Sequence, residues 1–183
     1  MTFYDSTTYT GCESLVGITI PISITSIGNY AFRGCTNLPS ITIPTSVTSL
    51  GYGAFQFCTS LASVIIPDNV TSIGQETFYC CYILNSVTIP DSVTSIGGNA
   101  FYNCRSLASV IIPASVTDIG GYSFRECSNL TSVRFERTGI ILGTQAFIDD
   151  PNTTSLQTAY TTGGIGTYTR PNTSSTTWTK ILN

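Results

Sequence analysis

The sequence predicts a β-rich α/β solenoid in which about six 23-residue repeats stack as successive rungs of one coil. The first observation is that cysteine, proline, phenylalanine and glycine each recur every 23 residues in one register. The cysteines of this register are Cys12, Cys35, Cys58, Cys81, Cys104 and Cys127, and the phenylalanines are Phe32, Phe55, Phe78, Phe101, Phe124 and Phe147. The second observation is a switch of apolar spacing inside each repeat, from a strand-like pattern to a helix-like one.

Each repeat opens with a predicted strand. Leu38, Ile41 and Ile43 are the apolar members, and the last two alternate with a polar residue as in a half-buried strand. Pro44 ends this strand because proline has no N–H to donate to a sheet ladder. A second extended segment, residues 47–50, follows it. The repeat therefore contains two short extended pieces, and the next repeat returns parallel to the first.

The last part of each repeat is predicted to be a short helix or helical turn. Ile27, Ala31, Phe32 and Cys35 are spaced i, i+4, i+5 and i+8, which places them on one buried stripe. Gly28 opens that turn. A single repeat cannot bury its apolar face alone, so the repeats must fold as a stack that shares one core.

The repeats divide the chain into three parts. Residues 1–11 form a degenerate N-terminal part-repeat, residues 12–150 hold the six repeats, and residues 151–183 form a C-terminal capping segment. In the cap, residues 155–160 suggest a short helix, and residues 166–170 and 177–181 suggest the two strands of a hairpin. Tyr168 and Trp178 are expected to cover the last rung.

Composition excludes several classes of function. The net charge is −3 and only 9% of residues are charged, so no basic field is present to attract nucleic acid. No apolar run is long enough to insert into a membrane, and the first residues show no signal peptide. Histidine is absent, which removes the commonest general base and a common metal ligand. We therefore expect no catalytic residue, no metal site and no cofactor.

The cysteines are expected to form a ladder of buried, reduced thiols. Equivalent side chains in a parallel stack point the same way, so their Cβ atoms should not converge into a disulfide. Free cysteine behaves in a core as a small apolar residue. Cys80 lies outside this register and is expected to face solvent, where a reactive or intermolecular role stays open.

The repeat L-x2-I-x-I-P-x2-V-T-x-I-G-x2-A-F-x2-C resembles the BspA-like class of bacterial leucine-rich repeats over residues 12–150. It departs from the commoner leucine-rich consensus, since the column that usually holds Asn or Cys reads mostly Ser here. The resemblance implies a right-handed, curved coil with a parallel sheet on its concave face. It also implies a cell-surface or secreted protein that contacts another protein, an extracellular-matrix component or a host component, as in adhesion.

Two surfaces are candidates for binding. The first, the strand strip, consists of the outward-facing residues of the predicted strands. Its members are Ser40, Thr42, Ser63, Ile65, Ser86, Thr88, Ser109, Ile111, Ser132 and Arg134. The strip is uncharged until Arg134 and carries two isoleucines. Serine and threonine also simply suit an exposed parallel sheet, so a ligand surface and a plain sheet face are both open.

The second candidate, the aromatic edge, lies on the predicted helical turns. Its members are Phe57, Tyr79, Tyr82 and Tyr102. Arg33, Gln56 and Asn103 hold equivalent positions in other repeats, so aromatic rings are not needed there for packing. Clustered aromatic residues favour contact with a partner. The alternative is that neighbouring loops partly bury them.

These features favour a non-catalytic recognition module over two rivals. One rival is a structural, self-associating solenoid or surface-layer component. The chain opens partway through a repeat, and an open rung can template another chain. The other rival is an enzyme, which the absence of histidine and of any closely spaced pair of carboxylates in a site disfavours.

Overall fold

The computed structural model describes residues 12–147, 156–175 and 177–181, in which the chain winds as a solenoid of short parallel strands. One strand column forms a six-stranded sheet. Its members are β1 (Ser26–Ile27), β3 (Ser49–Leu50), β5 (Ser72–Ile73), β7 (Ser95–Ile96), β9 (Asp118–Ile119) and β11 (Ile141–Leu142). The predicted parallel solenoid is confirmed.

The second strand column holds the longer strands and is split between two sheets. The first sheet contains β2 (Ser40–Thr42), β4 (Ser63–Ile65) and β6 (Ser86–Thr88). The second contains β8 (Ser109–Ile112) and β10 (Ser132–Phe135), followed by the antiparallel strands β12 (Gly166–Thr169) and β13 (Thr179–Ile181). The helix α1 (Leu156–Gly163) lies between β11 and β12 in the chain.

Strand register follows the repeat without slippage, so identical side chains stack on one another. Ser40 pairs with Ser63, and Ser63 pairs with Ser86. The phenylalanine column shows the result. Neighbouring rings from Phe32 to Phe147 lie 4.8–5.4 Å apart between centroids and are nearly parallel. The shared core is therefore a set of continuous columns, and each rung covers the next.

The predicted helical turn is a hydrogen-bonded turn with no helix. Residues four apart in it have left-handed φ angles, and those that are not glycine have φ angles of 51° to 62°. These are Tyr30, Phe57, Glu76, Cys80, Asn99, Asn103, Tyr122, Glu126 and Gln145. The N–H groups of Tyr122 and Phe124 donate to carbonyls of the next rung at 2.9 and 2.7 Å, whereas that of Arg125 bonds within the turn.

Rung spacing explains why a helix does not form there. Neighbouring strands lie about 4.8 Å apart, whereas packed helices need about 8–10 Å between their axes. A helix in every rung would force neighbouring strands apart. In the turn, N–H groups that donate to the next rung instead alternate with N–H groups that bond within the turn, and this continues the hydrogen bonding between rungs.

The glycine that opens the turn has a steric role from Gly51 onward. A Cβ built on Gly97 would lie 2.5 Å from the backbone nitrogen of Gln75 in the preceding rung. Only glycine permits this approach without moving backbone.

Two expectations about cysteine are wrong. Cys12 and Cys35 form a disulfide with their Cα atoms 4.5 Å apart, which is within disulfide range. Their side chains therefore converge instead of pointing the same way, as the parallel stack predicts. Cys80 is buried, with 4% of its surface exposed, because the turn folds it against the next rung.

The other cysteines of the column are buried thiols, each placed against a backbone carbonyl. Cys58, Cys81, Cys104 and Cys127 point their Sγ atoms at the carbonyl of the phenylalanine 26 residues earlier. The distances are 3.1–3.3 Å. This weak S–H···O bond gives each buried thiol of the column an acceptor for its proton.

The C-terminal end of the solenoid is closed by β12, β13 and α1. Tyr168 is fully buried, and Trp178 packs partly buried against the core. Arg170 is also buried, at 8% exposure. Its Nε and Nη2 donate to the carbonyls of Leu130 and Ser128 at 2.7 and 3.0 Å, and its backbone N–H donates to Thr131. This one residue supplies donors that a further rung would otherwise provide.

Candidate binding surfaces

The strand strip is a continuous exposed surface on the longer strands. Residues between its members, such as Ile41 and Val64, point into the core, so strand alternation places the strip outside. Nine of its ten residues are exposed and Ser132 is half-buried. Ile65 and Ile111 have 72% and 53% of their surface exposed, although both are large and apolar.

The hydroxyl groups of the strip are available to a ligand. Within the described residues, no serine or threonine of the strip makes a side-chain hydrogen bond. Threonines on the shorter strand column differ, since Thr48 and Thr94 donate to the carbonyls of Thr25 and Thr71 at 3.2 and 3.1 Å. The strip therefore combines unused hydroxyl donors and acceptors with two exposed aliphatic side chains.

The strip carries almost no charge. Its single charged residue, Arg134, lies at one end and has its Nε 3.3 Å from a carboxylate oxygen of Glu136. A surface of this kind contacts its partner through shape, apolar area and neutral hydrogen bonds, and gains little from long-range electrostatic attraction.

The structure brings three of the four residues of the aromatic edge together. Tyr79 stacks on Tyr102 with 4.9 Å between centroids, and Phe57 meets Tyr79 edge-on at 5.6 Å. All three rings are half-buried. Burial is the main cause that raises the pKa of Tyr79. These rings contact one another, so part of each aromatic face is already used within the protein.

Tyr82 has different neighbours. The guanidinium of Arg105 lies 5.1 Å from its ring centroid, and Arg105 also donates to Asn103 at 2.7 Å. A hydrogen bond with Cys80 is the largest cause that raises the pKa of Tyr82. Among the ring pairs of the described residues, none joins Tyr82 to the other three, although Tyr82 lies near enough to Tyr79 to contribute to the raised pKa of that residue.

Further aromatic residues on the same side were missed by the column-by-column sequence analysis. Tyr30 meets Tyr52 edge-on at 5.0 Å, and the Arg33 guanidinium lies 5.2 Å from Tyr30 and 5.6 Å from Phe57. The pKa of Tyr52 is raised, first by burial and then by its hydrogen bond with Glu76. Tyr30 and Tyr52 are 22 residues apart, so they are diagonal neighbours that a search at a spacing of 23 does not pair.

The described residues contain neither a candidate metal site nor a candidate membrane-spanning helix. No group of three or more Cys, Asp or Glu side chains is arranged to hold a metal ion in that part of the chain. None of the helices described there has the length and apolar character needed to cross a membrane.

Comparison with known proteins identifies the repeat. The family model for the BspA type leucine-rich repeat region matches in six copies, over residues 2–98 and 51–177. No protein of curated function matches the chain significantly.

Several solved bacterial structures resemble the chain. A leucine-rich cell surface protein from Faecalibacterium prausnitzii is 35% identical over 63% of this chain, with a TM-score of 0.53. A leucine-rich repeat protein from Eubacterium ventriosum is 28% identical over 75% of this chain, with a TM-score of 0.67. A leucine-rich repeat protein from Treponema pallidum is 25% identical over 69% of this chain, with a TM-score of 0.54.

The matched proteins differ in length from this chain. The chain covers 38% of the Faecalibacterium protein and 39% of the Eubacterium protein, against 72% of the Treponema protein.

Proposed function

Because the chain belongs to the BspA-type leucine-rich-repeat family, we propose that it is a non-catalytic module that binds another protein through the strand strip. The observation that carries this proposal is the exposure of Ile65 and Ile111 among hydroxyl groups that have no partner in the described structure. Exposed apolar residues among polar ones are typical of the centre of a protein interface.

The strip is favoured over the aromatic edge because the apolar side chains of the strip are more exposed to solvent. Ile65 projects from β4 and Ile111 from β8, which belong to two neighbouring sheets, and most of the apolar surface of both side chains is exposed to water. The rings of Phe57, Tyr79 and Tyr102 are half-buried against one another. Burial of apolar surface drives association, so the larger unburied area contributes more binding free energy.

The protein is further proposed to act at a bacterial surface or after secretion, with an extracellular-matrix or host component as its partner in adhesion. The likeness to a leucine-rich cell surface protein supports this location. The low charge of the strip supports a partner of low charge, and complex formation is then expected to change little with salt concentration.

The test measures binding of the chain to a panel of extracellular-matrix proteins, with glycans beside them. One variant carries Ile65→Lys and Ile111→Lys. Its matched control carries Ser49→Lys and Ser72→Lys, which add the same charge at exposed positions of β3 and β5 in the shorter strand column. Loss of two apolar contacts at the interface centre is expected to weaken protein binding by roughly tenfold or more. The control variant is expected to bind as wild type does.

A third variant separates the two surfaces. It carries Phe57→Ser, Tyr79→Ser and Tyr102→Ser, and circular dichroism checks that it is folded. Loss of binding in this variant, together with wild-type binding by the isoleucine variant, would place the site on the aromatic edge. Absence of binding to every protein of the panel would contradict the proposal.

Self-association is a second candidate function, favoured by the exposed apolar residues of the first rung. Val16, Ile18 and Ile22 have 72%, 43% and 68% of their surface exposed. Two such rungs facing each other would bury this surface between copies of the chain. Light scattering that shows one monomeric mass over a wide concentration range would remove this candidate.

A further inference from the structure

The first half of the first rung, residues 12–24, makes no backbone hydrogen bond to the second rung within the part of the chain that the structure describes. Thr25 and Ile27, which follow it, accept bonds from the N–H groups of Thr48 and Gly51 at 2.9 and 2.8 Å. In residues 12–25, the N–H groups of Leu15 and Ile24 bond only within their own turns, to Cys12 and Pro21. The strand β2 pairs with β4 on one side and with no described strand on the other. The contacts that cross to the second rung include side-chain bonds from Asn37 to the carbonyl of Glu13, at 2.7 Å, and from Ser46 to that of Ile24.

Pro39 contributes to this break in the ladder. In later rungs, the residue at this position donates its N–H to the preceding rung, as Ala62 does to Pro39 at 3.1 Å and Asn85 does to Ala62 at 2.9 Å. Proline has no N–H to donate. The second rung therefore cannot make the same bond to the first, and residues 16–20 lie beside β2 without forming a strand.

An open pocket of about 430 Å³ lies against the first rung and is lined by residues that include Ile18, Ile24 and Phe32. Ile18 is exposed and the other two are half-buried, so these apolar side chains are only partly covered. The covalent link at one end of this segment is the Cys12–Cys35 disulfide.

We infer that the Cys12–Cys35 disulfide is a redox-operated latch on the first rung. When it is formed, it holds residues 12–25 over the second rung and covers one edge of β2. When a dithiol reduces it, the segment is released and that edge is uncovered, while the later rungs keep their own ladders and stay folded. The inference is independent of any ligand of the strand strip.

The exposure of the two sulfurs sets the course of the exchange. Cys12 is half-buried and Cys35 has no exposed surface, so a thiolate of the dithiol attacks the sulfur of Cys12. The Cys12–Cys35 bond breaks, and Cys35 leaves as a thiolate that takes up a proton. The second thiol of the reagent then attacks the mixed disulfide and releases Cys12. Two protein thiols and one oxidised, cyclic reagent result from this two-electron exchange.

The disulfide is not expected to migrate along the cysteine column. Cys58 is the next member, and burial raises its pKa to about 12, so almost none of it is thiolate near neutral pH. Its Sγ is also 3.1 Å from the carbonyl of Phe32, which accepts the thiol proton. Reduction by an external dithiol is therefore the route by which the latch opens.

Hydrogen exchange and alkylation of the full chain test the latch. The chain is compared in its oxidised form, after treatment with dithiothreitol, and as the Cys12→Ser variant without reductant. Closing a 23-residue loop predicts that opening of the first rung becomes roughly 300-fold more favourable once the disulfide is absent. We expect faster exchange in residues 12–25 and 38–43 and rapid alkylation of Cys35. Cys81 and Cys104, which have no exposed surface, are expected to stay unreactive.

A control variant, Cys80→Ser, removes a thiol but leaves the disulfide, and is expected to behave as the oxidised wild type does. Two results would overturn the inference. One is a Cys35 that reacts as slowly as Cys104 in both the reduced chain and the Cys12→Ser variant. The other is loss of protection throughout all rungs on reduction, since a latch releases only the first.

Discussion

Arg170 closes the last rung of the solenoid, and its removal gives the sharpest stability prediction. Its guanidinium donates to the carbonyls of Leu130 and Ser128 at 2.7 and 3.0 Å, and lies 5.3 Å from the ring of Trp178. Arg170→Met keeps much of the aliphatic stem and removes these donors, together with the longer Nη1 bond to Ser175 at 3.4 Å and the cation–π contact with Trp178. The variant therefore removes the polar contacts of the guanidinium and keeps most of the apolar packing of the side chain.

The expected loss follows from those two bonds. A hydrogen bond to a charged group contributes about 1.5–3 kcal/mol. A buried carbonyl that is left without a donor has lost its hydrogen bonds to water and gains none in the protein. We therefore expect Arg170→Met to lower the free energy of unfolding by about 3–5 kcal/mol. Because rungs are stabilised mainly by their neighbours, exchange should rise first in β10 and then in β8.

Urea denaturation followed by circular dichroism measures this loss, and hydrogen exchange locates it. Arg134→Met is the matched control, because it removes the same charge from an exposed side chain whose partner is Glu136. An exposed ion pair of this type contributes about 1 kcal/mol at most, so the control should unfold close to wild type. If Arg170→Met also unfolds within about 1 kcal/mol of wild type, the capping role is refuted.

Three further predictions concern the interior of the stack. Phe78→Ala removes a fully buried ring between two others and should cost about 3–5 kcal/mol in denaturant unfolding; an unchanged midpoint would mean that the column does not bear the core. Gly97→Ala would press a methyl group against the backbone of Gln75 and should cost about 1–3 kcal/mol, measured in the same way, and a neutral result would refute the close approach. The raised pKa of Cys58 means that the folded state disfavours its thiolate, so this contribution to stability is present below pH 9 and is lost between about pH 9 and 12. Unfolding midpoints measured across that range should fall less steeply in Cys58→Ala, and equal slopes would contradict the assignment.

The candidate site was predictable to the extent that it depends on register and alternation. A period of 23 names the neighbours of each residue, and alternation along a strand decides which of them face outward. Both rules hold locally, so Ile65 and Ile111 could be placed on the surface from the sequence. Membership of the aromatic edge was less predictable. Tyr30 and Tyr52 meet diagonally, and Tyr82 turns toward Cys80 and Arg105, which column spacing does not reveal.

The sequence by itself determined the repeat, the two strand columns and the buried columns of leucine, valine and phenylalanine. In a stack of similar units each residue contacts the equivalent residue 23 positions away, so the repeat pattern also names the long-range contacts. Tertiary structure alone decided what happens where that equivalence fails. The turn does not form a helix because the rungs are closer together than packed helices can be. Cys12 and Cys35 converge into a disulfide, although equivalent side chains of a parallel stack are predicted to point the same way. Arg170 donates to carbonyls 40 and 42 residues away because the antiparallel β12, which it follows directly, lies beside β10.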